Sequence, residues 1–441
     1  MSDPIRFVIM PLGSAGDVHP LVWIGKRLAQ RGHDVTMLIE DALIDVSRRA
    51  GLESISIGNK AEQEAVLRNP DLWHPRKAFQ VVAKFLPHYI RQPLKILEGY
   101  KNNDRTVIIT GTLAFAGRIA AELWNLPHIS VHLQPATFMS IEDTPVMVAG
   151  AERLTKLPRF IRRGLMWYVD RTVDKAIGPA VNDVRAEYGL TTPVRGLMRN
   201  YWHGPDGVLA AFPDWYARKA TDWPPQTVVT RFPLYDESEE TPTPPEVETF
   251  LSAGPKPILF TPGSANAHGQ RFFAMGLAAL QRAGQRGIFL TRYPDQLPAN
   301  LPPSVAAFKY VPFSQVFPRC AAVVHHGGIG TCAQAMAAGI PQLLMPMAHD
   351  QPDNAARLRH LGVGDYLYPK HFKPKAIAQQ LAHLTTAREV QFACKGVKQM
   401  MAGQMTPTAF CEVVEQMAER SFAPRINAAN QSGAMMVATP E

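Results

Sequence analysis

The first forty residues restrict the chain to one kind of architecture. Residues 6–12 are largely apolar and read as a strand, which Gly13-Ser14-Ala15-Gly16 breaks. Leu21, Ile24 and Leu28 then recur at helical spacing, behind a proline at 20 that suits the first residue of a helix. Gly32 supplies the helix stop, and residues 34–39 form the next strand. Strand, helix and strand in this order make a parallel βαβ unit, so the fold class is α/β.

The pattern restarts in the second half. Pro224-Pro225, the acidic run 236–240, and prolines 242, 244 and 245 mark a linker over 224–250. Beyond it, 257–261 reads as a strand, Gly263-Ser264 as a turn and 272–283 as a helix. Later strands are expected at 288–291, 321–324 and 342–345, and helices at 374–387 and 407–420. In the first half, 106–110 and 128–132 are short buried strands, and 60–100 and 150–190 are helical in composition. The expected organisation is a Rossmann-like domain over 1–223, the linker, a second Rossmann-like domain over 251–420, and a flexible tail over 421–441. Two such halves face one cleft with the carboxyl ends of their sheets, where α/β folds bind ligands.

Composition narrows the partners. With 46 Lys and Arg against 38 Asp and Glu the net charge is +8, yet the basic residues are dispersed and no nucleic-acid motif accompanies them. Nucleic acid is therefore not expected, and a small polyanion suits the charge as well. A chain that is 46% apolar and 19% charged is not disordered. The four cysteines show neither CxxC nor zinc-ligand spacing and read as reduced thiols. The apolar run 107–117 is shorter than the ~18 residues a membrane span needs, and residues 1–4 lack signal-peptide character. A cytoplasmic protein is expected.

The segment richest in chemistry is His325-His326-Gly327-Gly328-Ile329-Gly330-Thr331, at the end of a strand and the start of the Ala-rich helix 332–338. Its glycines let the backbone approach a ligand, and the helix start offers free N–H groups and a positive dipole end. A diphosphate is the natural guest, with His326 and the Thr331 hydroxyl as further donors. A tight strand-to-helix turn holding a satisfied histidine explains the same residues. Adjacent histidines in extended chain point to opposite sides, which argues against a shared metal site.

His326-Gly-Gly-Ile-Gly-Thr331, followed by Pro346-Met-Ala-His-Asp350-Gln351-Pro-Asp-Asn354, resembles the donor signature of family 1 glycosyltransferases with the GT-B fold. Gly13-Ser14-Ala-Gly16-Asp17-Val-His19-Pro20 resembles the first-strand loop of the bacterial branch. Within it, Trp73-His-Pro, Ala211-Phe-Pro-Asp-Trp215, Arg231-Phe-Pro-Leu-Tyr235 and Arg286-Gly-Ile-Phe-Leu-Thr291 resemble the rhamnosyltransferases of rhamnolipid synthesis.

The resemblance implies two Rossmann-like domains facing a central cleft, with C-terminal helices packing back toward the N-terminal domain. It implies that Ser264, His326, Gly327, Gly328, Gly330 and Thr331 hold the donor diphosphate. Tyr310 would stack on the nucleobase and the Val311 backbone would read its edge. Asp350 and Gln351 would hold the sugar. Gln334 stands where many relatives place a ribose-binding glutamate, a change that a deoxyribose donor tolerates. Asp17 matches the catalytic base, with His19 as a helper or a first-turn surface residue. On the residues alone, Asp17 suits a helix cap equally well, which would lower its pKa and weaken it as a base.

The implied reaction is inverting and metal-independent: L-rhamnose passes from dTDP-L-rhamnose to the hydroxyl of an acidic lipid, a 3-(3-hydroxyalkanoyloxy)alkanoate. A glucose donor, giving a glucolipid, or another hydrophobic acceptor would use the same machinery. Segments 73–93 and 136–168 are rich in large apolar residues that either line an acceptor pocket or are simply core. Segment 153–163 mixes five basic residues with apolar ones and reads as a solvated helix face, or as a site that meets anionic lipid or captures an acidic lipid acceptor. Peripheral contact with the inner membrane or with an acyltransferase partner is an open expectation. A dinucleotide-dependent oxidoreductase would use Gly13, Gly16 and Glu40, but the spacing departs from GxGxxG. A non-catalytic nucleotide-sugar-binding subunit is the third class.

Overall fold

The computed structural model describes residues 3–74, 77–103, 105–148 and 150–436, with side chains as far as 423. Its N-terminal sheet contains β1 (Arg6–Met10), β2 (Asp34–Glu40), β3 (Glu53–Ile57), β4 (Thr106–Thr110), β5 (His128–His132), β6 (Gly207–Ala210) and β7 (Thr227–Val229). The C-terminal sheet contains β8 (Ile258–Thr261), β9 (Gly287–Leu290), β10 (Val305–Phe308), β11 (Ala322–His325), β12 (Gln342–Leu344) and β13 (Gly364–Tyr366). Every pairing is parallel, in the orders β3-β2-β1-β4-β5-β6-β7 and β10-β9-β8-β11-β12-β13. Strand order therefore reverses between β1 and β4 and again between β8 and β11, the two places where such sheets leave a crevice. Central strands are apolar on both faces because helices cover both. Phe7, Val8 and Ile9 in β1, and Val323 and Val324 in β11, have no exposed surface.

The strands expected at 106–110 and 128–132 are present with those bounds, and the first βαβ unit forms as read. Several details differ. The first helix is Ala15–Gln30, and Pro20 lies inside it rather than at its start. Ser14 caps it instead, with Asp17 one turn in reaching back, so capping chemistry sets the start and the proline costs one internal hydrogen bond. Thr227–Val229, within the expected linker, is the seventh strand of the first sheet. The acidic run is likewise no free linker. Asp236 accepts the Ser314 N–H at 2.6 Å, Lys26 pairs with Glu239 and Glu240, and Arg49 pairs with Glu237. The last helix runs Pro407–Met436, into the segment expected as a flexible tail, and 437–441 lie outside the described residues.

That last helix packs back on the N-terminal domain. Phe410 meets Trp23 edge-to-face with ring centroids 5.3 Å apart, and Glu415 takes a forked bond from Arg31 at 2.5 and 2.8 Å. Among the described residues, no helix is long and apolar enough to cross a membrane. Behind the cleft, a polar bolt joins the two halves. Asp353 is 4% exposed at its side chain, accepts the Val146 N–H at 3.0 Å and pairs with Arg357 at 2.8 Å, while Arg357 also reaches Asp143 at 2.7 Å. Removing Arg357 strands a buried carboxylate. Arg357→Ala is therefore expected to cost about 3–5 kcal/mol of stability, read as a lowered denaturation midpoint.

Candidate active site

A cavity of about 680 Å³ lies between the two sheets. Its walls come from the turns after β1, β4, β8 and β11, the strands at the two order reversals. One end is polar and built by the C-terminal domain; the other is apolar and built by the N-terminal domain.

At the polar end, Gly328 precedes the helix Ile329–Ala338, and no side chain caps it. Its first N–H groups are thus available to an anion. The His326 ring stands between two glycines. A Cβ on Gly263 would lie 2.6 Å from its Cε1, and one on Gly328 2.4 Å from its Nε2, so neither position admits a side chain without moving the ring. Burial, then the neighbouring His349, pushes His326 down to about 4, so the ring is neutral. Its Nδ1 is buried and has no partner among the described residues. A buried polar atom at a cavity wall calls for an external partner, and a phosphate oxygen fits that need. His325 points the other way, as the alternation of extended chain requires. Its ring bonds Gln342 Oε1 at 3.0 Å, and its Nδ1 accepts the Gly327 N–H at 3.1 Å. It fastens the turn.

The remaining donor-side residues gather on the same cavity. Ser264, Gly330, Thr331, Val311, Gln334 and Tyr310 all line it, and the Tyr310 hydroxyl donates to the Asp236 carbonyl. Gly327, at φ +99°, sits behind them against Leu344 and Gln351. Asp350 Oδ2 accepts the Asn354 amide at 2.7 Å, and Asn354 also donates to the Gly327 carbonyl at 2.9 Å, so one side chain ties the carboxylate to the glycine turn. Gln351 spends its Oε1 on the N–H groups of Met347 and Ala348, at 2.9 and 3.3 Å, which leaves its NH2 end for a ligand.

The two domains meet at helix starts. A Cβ on Gly330 would lie 3.7 Å from the Gly16 Cα, so the N-terminus of Ile329–Ala338 stands against that of Ala15–Gln30. Both positive dipole ends converge there. Asp17 occupies this meeting point. Its Oδ2 accepts the Ser14 N–H at 2.8 Å and the Ser14 hydroxyl at 2.9 Å, while among the described residues no donor engages Oδ1. Capping and facing the cavity are thus one geometry. Burial raises the Asp17 pKa and outweighs the lowering by Ser14, the reverse of what a simple cap would produce. Its charge also helps burial push Asp350 up to about 7. His19 is not a surface residue: its ring lines the cavity 3.7 Å from Glu237, and burial lowers its pKa.

Glu40, which the sequence offers only as the acid of a dinucleotide site, belongs to this cluster. It is 5% exposed, accepts the Gly13 N–H at 3.0 Å, and is pushed up to about 8, first by burial and also by the charge of Asp17. The unfolded chain releases that proton near 4.5 and the folded chain only near 8, so Glu40 lowers stability progressively across that interval. Glu40→Gln keeps an acceptor for Gly13. It is expected to match the parent near pH 4 and to gain on the order of 2 kcal/mol at pH 8, measured as denaturant midpoints at both pH values.

The apolar end is lined by Trp73, Phe79, Phe85, Tyr89, Met147 and Trp202. Parts of segments 73–93 and 136–147 line it. Residues 153–168 do not: Phe160, Trp167 and Tyr168 lie on the outside of the molecule, and Met166 is buried in the core of the N-terminal domain. Between the two domains at the cavity wall, the His349 ring bonds the Leu72 carbonyl at 3.0 Å and meets Trp73 edge-to-face.

Residues 288–419 match the family model described as "Erythromycin biosynthesis protein CIII-like, C-terminal domain". Over 432 residues the chain is 28% identical to O-mycaminosyltylonolide 6-deoxyallosyltransferase of Streptomyces fradiae, covering 94% of this chain and 98% of that one. It is also 28% identical over 370 residues to Glycosyltransferase GtfC of Amycolatopsis orientalis, covering 82% and 85%. Among solved structures, Spinosyn Forosaminyltransferase SpnP aligns with a TM-score of 0.68 at 18% identity, over 95% of this chain and all of that one. Spinosyn Rhamnosyltransferase SpnG complexed with thymidine diphosphate aligns with a TM-score of 0.66 at 18% identity, over 93% of this chain and all of that one. These likenesses place the fold as GT-B.

Proposed function

We propose that this chain, a glycosyltransferase with the GT-B fold, transfers a hexose from a nucleoside diphosphate to the hydroxyl of an amphiphilic acceptor by a single inverting displacement. The carrying observation is the placement of Asp17, between an apolar compartment on one side and two helix N-termini with the orphan Nδ1 of His326 on the other. The acceptor hydroxyl gives its proton to Asp17 Oδ1 as its oxygen bonds the anomeric carbon. The bond from that carbon to the diphosphate breaks on the opposite face, which inverts the configuration. The leaving diphosphate gathers negative charge against N–H groups already aimed at it, and fixed dipoles of this kind favour the transition state over the ground state. Asp350 and the NH2 end of Gln351 hold the sugar.

The finer reading is transfer of L-rhamnose from dTDP-L-rhamnose to a 3-(3-hydroxyalkanoyloxy)alkanoate. Support comes from the sequence resemblance, from glutamine at 334 where a ribose contact is dispensable, and from an aromatic and aliphatic compartment suited to acyl chains. A thymidine diphosphate complex of a rhamnosyltransferase shares the fold, and a relative named for a 6-deoxyhexose shares most of the chain. That relative's name points to a macrolide acceptor, which the compartment would also accommodate by its apolar character. Turnover of dTDP-rhamnose and UDP-glucose on a hydroxyalkanoyl lipid and on a macrolide, with products weighed by mass spectrometry, separates these readings. Highest kcat/KM for dTDP-rhamnose with the lipid is expected. Preference for UDP-glucose removes the rhamnosyl assignment, and preference for the macrolide removes the lipid.

A further inference from the structure

The first half of the helix Arg159–Glu187 carries its largest apolar side chains outward. Phe160 is 76% exposed, Tyr168 66% and Trp167 50%, and positions 160, 164, 167, 168 and 171 share one helical face. Leu154 and Val148, shortly before the helix in the chain, are exposed as well. Beneath it lies a second cavity of about 420 Å³, walled by Met139, Phe160, Met166 and Trp167 among others.

Cations surround the aromatics. Arg153, Lys156, Arg163 and Arg171 are exposed, and among the described residues none of them pairs with a carboxylate; Arg171 lies over the Trp167 ring at 5.2 Å. The acids of this region are engaged elsewhere. Glu142 takes Arg159 and Thr221, Asp143 takes Arg357, and Glu152 takes the hydroxyls of Tyr366 and Tyr368. A two-fold contact with a second copy would set like charges against one another. A solvated basic face would have no use for three exposed rings.

We infer that this face docks on an anionic lipid surface, with the rings entering the headgroup boundary and the four cations facing lipid phosphates. Ala136, Thr137 and Met198 line the acceptor compartment, while Met139, Ile141 and Arg199, close to them in the chain, wall the second cavity together with Phe160 and Trp167. Docking therefore brings the apolar compartment near the surface where amphiphiles collect. The inference stands whichever sugar is transferred.

The full-length chain is tested by co-sedimentation with vesicles of phosphatidylcholine, alone or with phosphatidylglycerol. Binding at least ~10-fold stronger to the anionic vesicles is expected, weakening with salt. The pair Arg163→Ser with Arg171→Ser should abolish the preference. The pair Phe160→Ser with Trp167→Ser should weaken binding to both vesicle types, with circular dichroism unchanged in each. Absence of binding, or binding that neither pair alters, overturns the inference. So does self-association in sedimentation velocity that the same substitutions relieve, which assigns the face to a second copy.

Discussion

Asp17→Asn is expected to lower turnover by a factor of ~10²–10⁴ while leaving nucleotide affinity within about twofold. Asparagine keeps an oxygen for the Ser14 N–H, so the start of the helix Ala15–Gln30 and its place against Gly330 should persist. What disappears is the carboxylate oxygen that stands free at the meeting of the two compartments to take the acceptor's proton. The loss should fall on kcat, with titration calorimetry against the nucleoside diphosphate showing near-parental binding. In the parent, kcat/KM should climb with pH along a limb above the ordinary carboxylate range, because burial raises Asp17 and a base acts only when unprotonated. Turnover unchanged by the substitution would leave Asp17 as a cap alone.

His326→Ala should reduce kcat/KM by ~10²–10³, the range found when one preorganised donor is taken from developing negative charge. The effect should weigh more on kcat than on KM, since the phosphate oxygen it serves gains charge as the bond breaks. Gly328→Ala offers a separate route to the same result. It removes no polar group, yet its methyl would meet the ring nitrogen at 2.4 Å and force the ring aside. Comparable losses in the two variants, with denaturation midpoints close to the parent, would assign the cost to ring placement. A silent Gly328→Ala would mean that the ring's position is unimportant.

Much of this layout could be read before any coordinates. The βαβ unit, the restart after the prolines and the histidine–glycine turn rest on patterns with local causes: β-branched runs, helical spacing and glycine where the chain turns sharply. What escaped were elements whose signal is not local. Val305–Phe308, apolar but only four residues long and largely half-buried, and Gly364–Tyr366, without an apolar run, are short edge strands that pairing with a neighbour defines. Pro20 looked like a helix start because a cap one turn earlier is invisible until Ser14 and Asp17 are seen bonding each other. Glu40 and His19 carried no mark of burial, which depends on chain hundreds of residues away: Glu237 against His19, and the opposing domain over the cleft. Composition lets the rings at 160, 167 and 168 line a pocket or sit in the core, and they do neither, because composition does not say which way a helix faces.

In the proposed reaction one displacement joins Asp17 on the acceptor side to the Gly328–Thr331 turn on the leaving side, with no covalent intermediate between them. The anomeric configuration of the product tests this most directly. Proton NMR of the glycoside formed in a single turnover, compared with the donor, is predicted to show inversion. Retention of the donor's configuration would contradict it.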